Sequence, residues 1–184
     1  MSVDAHEASR GWPDTSALEE TGLPYRFHAL DYVAGELDGP EYGRLSCFHQ
    51  VPVIDDGGFI VGESGAVLLY IAEKARKLIP ADFAGRTRVV QWCFAALATV
   101  ERPLFEIQMI DGGLGGEGGR ERRAALVKEA GRRVLPGLEC RLDGRECIAC
   151  DAFTVADILL AIVCEGLRQR VDRAGRHVPK GVSA

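Results

Sequence analysis

The sequence predicts an α/β domain followed by an all-α domain, and three observations carry that prediction. Short alternating apolar runs interleave with helical patterns up to about residue 80. Pro80-Ala81-Asp82 then interrupts the chain with turn-forming residues. Beyond them every patterned segment has the 3.6-residue spacing of a helix. The expected boundaries are 1–79 for the first domain and 83–184 for the second.

Met1 to His6 occupies the place of a first strand, although Asp4 and His6 interrupt its apolar run. A buried carboxylate without a partner is costly, so this strand is the least secure. A helix is expected from Pro13 to Thr21, with proline tolerated in its first turn. Gly22-Leu23-Pro24 ends it, and Tyr25 to Leu30 alternates as a half-buried strand. Asp38 to Leu45 reads as a short, poorly patterned helix. Two strands follow within residues 52–61, joined by the turn residues Asp55 to Gly58. Glu63 then opens a helix to about Leu78, with Ala66, Val67, Tyr70, Ile71 and the stem of Lys74 on one face.

In the second domain, Val89, Val90, Trp92, Cys93, Ala96, Leu97, Val100, Leu104 and Phe105 give a long apolar stripe that Pro103 should kink. Gly112 to Gly119 reads as a flexible connection, and Arg120 to Leu142 as an amphipathic helix bent at Pro136-Gly137. Thr154 to Leu167 is the most apolar helix, with Thr154 and Asp157 set as a capping box. Residues 168–184 show little periodicity and read as a frayed tail.

At 184 residues the chain can bury about two-thirds of its unfolded surface without staples. A net charge of −5 argues against broad binding to nucleic acid or anionic membranes. No apolar run approaches the ~20 residues of a membrane span, and no basic segment leads into an apolar one at the N-terminus. A cytoplasmic protein is the expectation. Its six cysteines are then expected as thiols. The Cys147-x-x-Cys150 spacing matches no standard zinc pattern and does not open a helix after a strand, so no metal site is expected.

The most informative stretch is Gln50-Val51-Pro52-Val53-Ile54, followed after a turn by Phe59-Ile60-Val61-Gly62-Glu63-Ser64. A proline is compatible with a strand at its first residue, and there a cis X-Pro bond is tolerated. Glu63 and Ser64 at a helix start would gather a carboxylate, a hydroxyl and free backbone N–H groups around one small pocket.

This arrangement resembles the glutathione-binding half of the glutathione S-transferase family, where a Val-Pro pair and a Glu-Ser pair have this spacing. Ala17 to Tyr25 is similar to the end of that family's first helix and the start of its second strand. Phe153 to Ile158 is similar to the capping motif of a buried helix in its second domain. The resemblance implies a thioredoxin-like N-terminal domain, a helical C-terminal domain and a homodimer paired through the helices that start near Glu63 and Arg88. It implies glutathione as co-substrate, transferred to an electrophilic small molecule held in a cleft near Trp12, Phe94, Val100 and Phe105.

The resemblance also assigns residues. Glu63 and Ser64 would hold the γ-glutamyl end of glutathione, and the backbone of Val51, ahead of Pro52, would pair with its cysteinyl part like an added strand. His49 and Gln50 flank that segment. Ser9 falls where the family places its thiolate-stabilising hydroxyl, with Arg10 beside it. The chain departs from the family in having Ser46-Cys47-Phe48-His49 where Asn-Pro and a glycine are usual, in Asp4 and His6, and in Trp12-Pro13-Asp14. These departures keep two alternatives open: a non-catalytic interaction module of the same fold, and a glutathione-dependent reductase or isomerase.

Overall fold

The computed structural model describes residues 3–7, 13–31 and 33–174, with side chains over 15–31 and 33–165. Its first half is a four-stranded mixed sheet flanked by helices. The strands are β1 (Val3–Glu7), β2 (Tyr25–Ala29), β3 (Val53–Asp56) and β4 (Phe59–Gly62), in the order β2-β1-β3-β4. β1 is central. It runs parallel to β2 from Val3↔Tyr25 to Glu7↔Ala29, and antiparallel to β3 from Asp4↔Asp55 to His6↔Val53. The doubtful first strand therefore forms, with Asp4 and His6 inside its register.

The parallel β1–β2 pair requires a crossover, which α1 (Pro13–Thr21) supplies over the predicted residues. The region read as one helix from Asp38 to Leu45 is shorter than expected. It divides into a 3₁₀ turn, Glu36–Asp38, and α2 (Pro40–Gly43), because Gly39 and Pro40 break it and Pro40 starts the second piece. After β4, α3 (Ser64–Ala75) buries Val67, Leu68, Ile71 and Ala72. Ala66, expected on that face, is exposed, and Leu68 and Ala72 take its place.

The helical half begins with α4 (Phe83–Phe94), whose first turn is capped by Asp82 accepting the Gly85 N–H at 2.8 Å. Pro103 has no N–H to return to the preceding turn, and the chain answers with a widened π turn over Ala95–Glu101 before α5 (Arg102–Met109). The same device recurs before Pro136: α6 (Gly119–Glu129) passes through a π turn at Ala130–Val134 into α7 (Leu135–Leu142). The last helix, α8 (Val155–Ala174), continues past the expected end at Leu167, so residues 168–174 are helical where a tail was expected.

One apolar cluster joins the two halves. Leu18 of α1, Ile54 of β3 and Leu68 and Ile71 of α3 pack in it with Val89, Cys93 and Ala96 of the long helix and Val155 and Leu159 of α8. Fully burying each large aliphatic side chain contributes about 1.5–3 kcal/mol. Two polar ties reinforce the joint: the Val155 N–H donates to the Leu78 carbonyl at 3.0 Å, and Lys77 Nζ donates to the Thr21 carbonyl at 2.7 Å. Among the described residues no helix is long and apolar enough to cross a membrane.

A buried charge pair sits at the end of β3. Asp56, with 1% of its side chain exposed, accepts at Oδ2 from Tyr70 Oη at 2.6 Å and from Lys74 Nζ. The Lys74 hydrogen bond, and then that of Tyr70, hold the Asp56 carboxyl below its usual range, and the same contact with Asp56 raises Lys74.

Candidate functional site

The chain between α2 and β3 and the turn between β4 and α3 enclose a pocket of about 250 Å³. One stretch lining it runs from Leu45 to Phe48 and on to Gln50, Val51 and Pro52; the other is Gly62, Glu63 and Ser64. The structure thus brings five of the sequence-predicted residues to one cavity: Gln50, Val51, Pro52, Glu63 and Ser64. The Val51–Pro52 peptide bond is cis, the isomer that a proline at the mouth of a strand tolerates. Val51 lies outside the β3 ladder, whose first paired residue is Val53.

Glu63 is the cap residue ahead of α3 and has φ 70°, ψ 119°. A non-glycine residue at positive φ is uncommon, and such conformations collect at ligand sites. Its carboxylate is exposed beside Ser64, the first residue of the helix. The earliest N–H of α3 with a helical partner is that of Val67, which donates to the Glu63 carbonyl at 2.9 Å. The N–H groups of Ser64, Gly65 and Ala66 precede it at the positive end of the helix. Together these groups suit a zwitterion: the Glu63 carboxylate for an ammonium, the Ser64 hydroxyl and the helix start for a carboxylate. Gly65 roots this end of α3 on the long helix, since a Cβ there would stand 3.2 Å from Leu97 Cδ1.

His49 is absent from the pocket lining. Its Nδ1 lies 2.7 Å from the Leu37 carbonyl, and since a carbonyl only accepts, Nδ1 carries the proton in this contact. Ser9, Arg10 and Trp12 lie outside the described residues. Of the side chains expected near a substrate cleft, Phe94 and Phe105 are exposed, whereas Val100 is buried in the core.

In the sequence Leu45 reads only as the end of a short helix, and Ser46, Cys47 and Phe48 only as departures from a family pattern, yet all four line the pocket. Their position immediately before Val-Pro was the signal. Among the other thiols, burial pushes Cys93 up to about 12, with the charge of Asp157 adding to it, and burial likewise raises Cys147 and Cys164. Thiols held protonated in this way are poor nucleophiles. Among the described residues no cluster of three His, Cys, Asp or Glu is arranged to hold a metal ion.

Comparison with known proteins places this geometry in context. Residues 7–73 match the family model described as glutathione S-transferase, N-terminal domain. Glutathione S-transferase F10 of Arabidopsis thaliana is 30% identical over 148 residues, which cover 77% of this chain and 68% of the plant protein. A glutathione transferase from Pseudomonas putida, solved with one glutathione disulfide bound per subunit, superimposes with a TM-score of 0.80 at 26% identity, covering 95% of this chain and 79% of that one. Another from Burkholderia graminis, with two glutathione molecules bound per subunit, gives 0.79 at 28% identity, covering 95% and 76%.

Proposed function

The chain belongs to the glutathione S-transferase family, and from that premise we propose that it binds glutathione in this pocket and transfers it to an electrophilic small molecule. The observation that carries the reading is the convergence of Val51, Glu63 and Ser64 on one cavity. Glutathione carries an amino-acid head at one end, which suits the paired Glu63 carboxylate and Ser64 helix start. Its central peptide unit suits the unpaired backbone of Val51 as an added strand. Gln50 lines the same wall. The α/β domain over 1–79 would bind the tripeptide, and the helical domain over 83–184 would supply the electrophile's apolar surface, including Phe94 and Phe105.

The chemistry requires a thiolate, because the thiol is a weak nucleophile. Ser9, with Arg10 beside it, is our candidate for stabilising that thiolate near the start of α1. The protein would act in the cytoplasm as a homodimer joined through α3 and α4. The spare surface for such a contact is smaller than the apolar composition of these helices implies. Val67, Leu68, Ile71, Val89 and Cys93 are consumed by the chain's own core, leaving half-buried Leu69, Tyr70, Val90 and Trp92 and exposed Phe94. Sedimentation at micromolar concentration should give twice the mass of one chain; a single-chain mass would remove the dimer.

The test of the activity is turnover of glutathione with a generic aryl halide, compared between the wild type and Ser9→Ala. The variant should lose far more in kcat than in glutathione affinity, and its pH–rate profile should move upward. Glutathione binding with no turnover on any electrophile would select the interaction module instead. Reduction of a disulfide substrate to thiols, with two glutathione molecules oxidised to glutathione disulfide per turnover and no thioether formed, would select a glutathione-dependent reductase.

A further inference from the structure

We propose that Tyr42 is a positioning residue for the peptide ligand: its hydroxyl fixes the Gln50–Val51 peptide unit so that the Val51 N–H is presented to the pocket. The inference rests on the glutathione-binding reading and adds to it the group that sets the geometry of the backbone contact.

The observations are local. Tyr42, in α2, is 4% exposed, and its Oη donates to the Gln50 carbonyl at 2.9 Å. The Gln50 N–H donates to Ser46 Oγ at 3.0 Å. Both backbone polar groups of Gln50 are therefore taken by side chains from four and eight residues earlier, and neither joins the sheet. His49, at φ 53°, secures the same segment from the other side through its Nδ1 contact with the Leu37 carbonyl. The ring of His49 passes so close to α2 that a Cβ on Gly43 would stand 3.0 Å from its Cε1.

The geometric step follows from the planarity of the peptide. The cis bond among the described residues is Val51–Pro52, so Gln50–Val51 is trans. In a trans unit the C=O and the next N–H point in opposite directions. Tyr42 holds the Gln50 carbonyl toward the protein interior, so the Val51 N–H points away from it, on the pocket-lining side of Val51. Among the described residues that N–H has no hydrogen-bond partner. An extended peptide laid along Val51 needs such a donor to pair its own carbonyl. Without the phenol, the Gln50 carbonyl would lose its hydrogen bond, and the Gln50–Val51 unit would be restrained only through the Ser46 contact to the Gln50 N–H and the His49 contact before it.

Tyr42→Phe removes the hydroxyl and keeps the ring, so the core contact of α2 is retained. The matching control is Tyr70→Phe, which deletes a buried phenol hydrogen bond in the same half of the molecule, to Asp56 and away from the pocket. By calorimetry, Tyr42→Phe should weaken glutathione binding about fivefold to tenfold, the value of one lost hydrogen bond. Its kcat with an aryl halide should stay within about twofold, because the thiolate is not touched. Tyr70→Phe should lower the melting temperature at least as much while leaving affinity unchanged. A second measurement needs no variant: in the amide NMR spectrum of the wild type, Val51 should move downfield on glutathione titration and become protected from exchange. Equal affinity in the wild type and Tyr42→Phe, or a Val51 amide indifferent to saturating glutathione, would overturn the role of Tyr42 and leave the binding site standing. A wild type that does not bind glutathione would overturn both.

Discussion

Two irregular stretches of this chain are held by side chains reaching back to the backbone, and they serve different ends. In residues 148–157 the Asp157 carboxylate accepts three hydrogen bonds: from the Ile148 N–H at 2.7 Å, and from the Thr154 N–H and hydroxyl at 2.8 Å each. Arg141 caps the Ile148 and Ala149 carbonyls from the other side. Every member is satisfied, Ile148, Ala149 and Thr154 are buried, and the stretch launches α8 into the core. In residues 45–52 the holding groups are Tyr42, Ser46 and the His49 ring, while Cys47 is exposed and Phe48 is 73% exposed. The same kind of bond is used with opposite exposure. The first network finishes a core; the second holds an edge open with a backbone donor unspent.

If the comparison is right, breaking the closed network damages folding and breaking the open one damages binding. The largest expected effect is Asp157→Ala, which strands two backbone donors and a buried hydroxyl. About 3 kcal/mol or more of stability should be lost, read as a lower urea midpoint with the slope unchanged. Any surviving folded protein should bind glutathione as the wild type does.

The Asp56–Lys74 pair should come next, and it carries a pH signature. Replacing Lys74 by Met leaves the Asp56 charge buried with only Tyr70 as partner, a loss of about 3 kcal/mol by analogy with other broken buried pairs. In the wild type the Asp56 carboxyl titrates lower in the folded than in the unfolded chain. Its contribution is therefore present above the ordinary carboxyl value of 3.8 and is lost as pH falls through the lower folded value. Lys74 is shifted the opposite way: its contribution is present below 10.5 and fades as pH rises through the higher folded value. Urea melts across both windows should show these slopes, and Lys74→Met should flatten both. The smallest effect is expected at Phe48→Ala, less than about 0.5 kcal/mol in stability because the ring packs against little.

Much of the fold was legible because each element carried its own signal. Helix α1 matched its predicted residues since Pro13 and Gly22 mark its ends, and Thr154 with Asp157 announced the start of α8. The irregularities were legible only in part. Pro103 and Pro136 said that the helices would be disturbed, but the π turns ahead of them depend on how the neighbouring turns repack. Ala66 and Leu68 exchanged roles because a period of 3.6 residues fixes the width of an apolar face better than its rotation. Val51, Glu63 and Ser64 could be read as a site because their spacing brings them together through a short hairpin. Tyr42, by contrast, acts on Gln50 through one hydroxyl across eight residues of irregular chain, and no periodicity records such a contact. The Asp56–Tyr70–Lys74 cluster was hidden for a similar reason: Tyr70 and Lys74 share a face of α3, but their partner Asp56 ends β3 and reads in the sequence only as a turn residue.

The most direct test of the central claim, that the pocket between Val51 and Glu63 is the glutathione site, is a calorimetric titration of the wild type, Glu63→Ala and Ser64→Ala with glutathione. The wild type should bind one tripeptide per chain. Each variant should bind about tenfold to a hundredfold more weakly, the equivalent of about 1.5–3 kcal/mol for a lost contact to a charged group. Unchanged affinity in both variants would contradict the account and move the ligand elsewhere on the molecule.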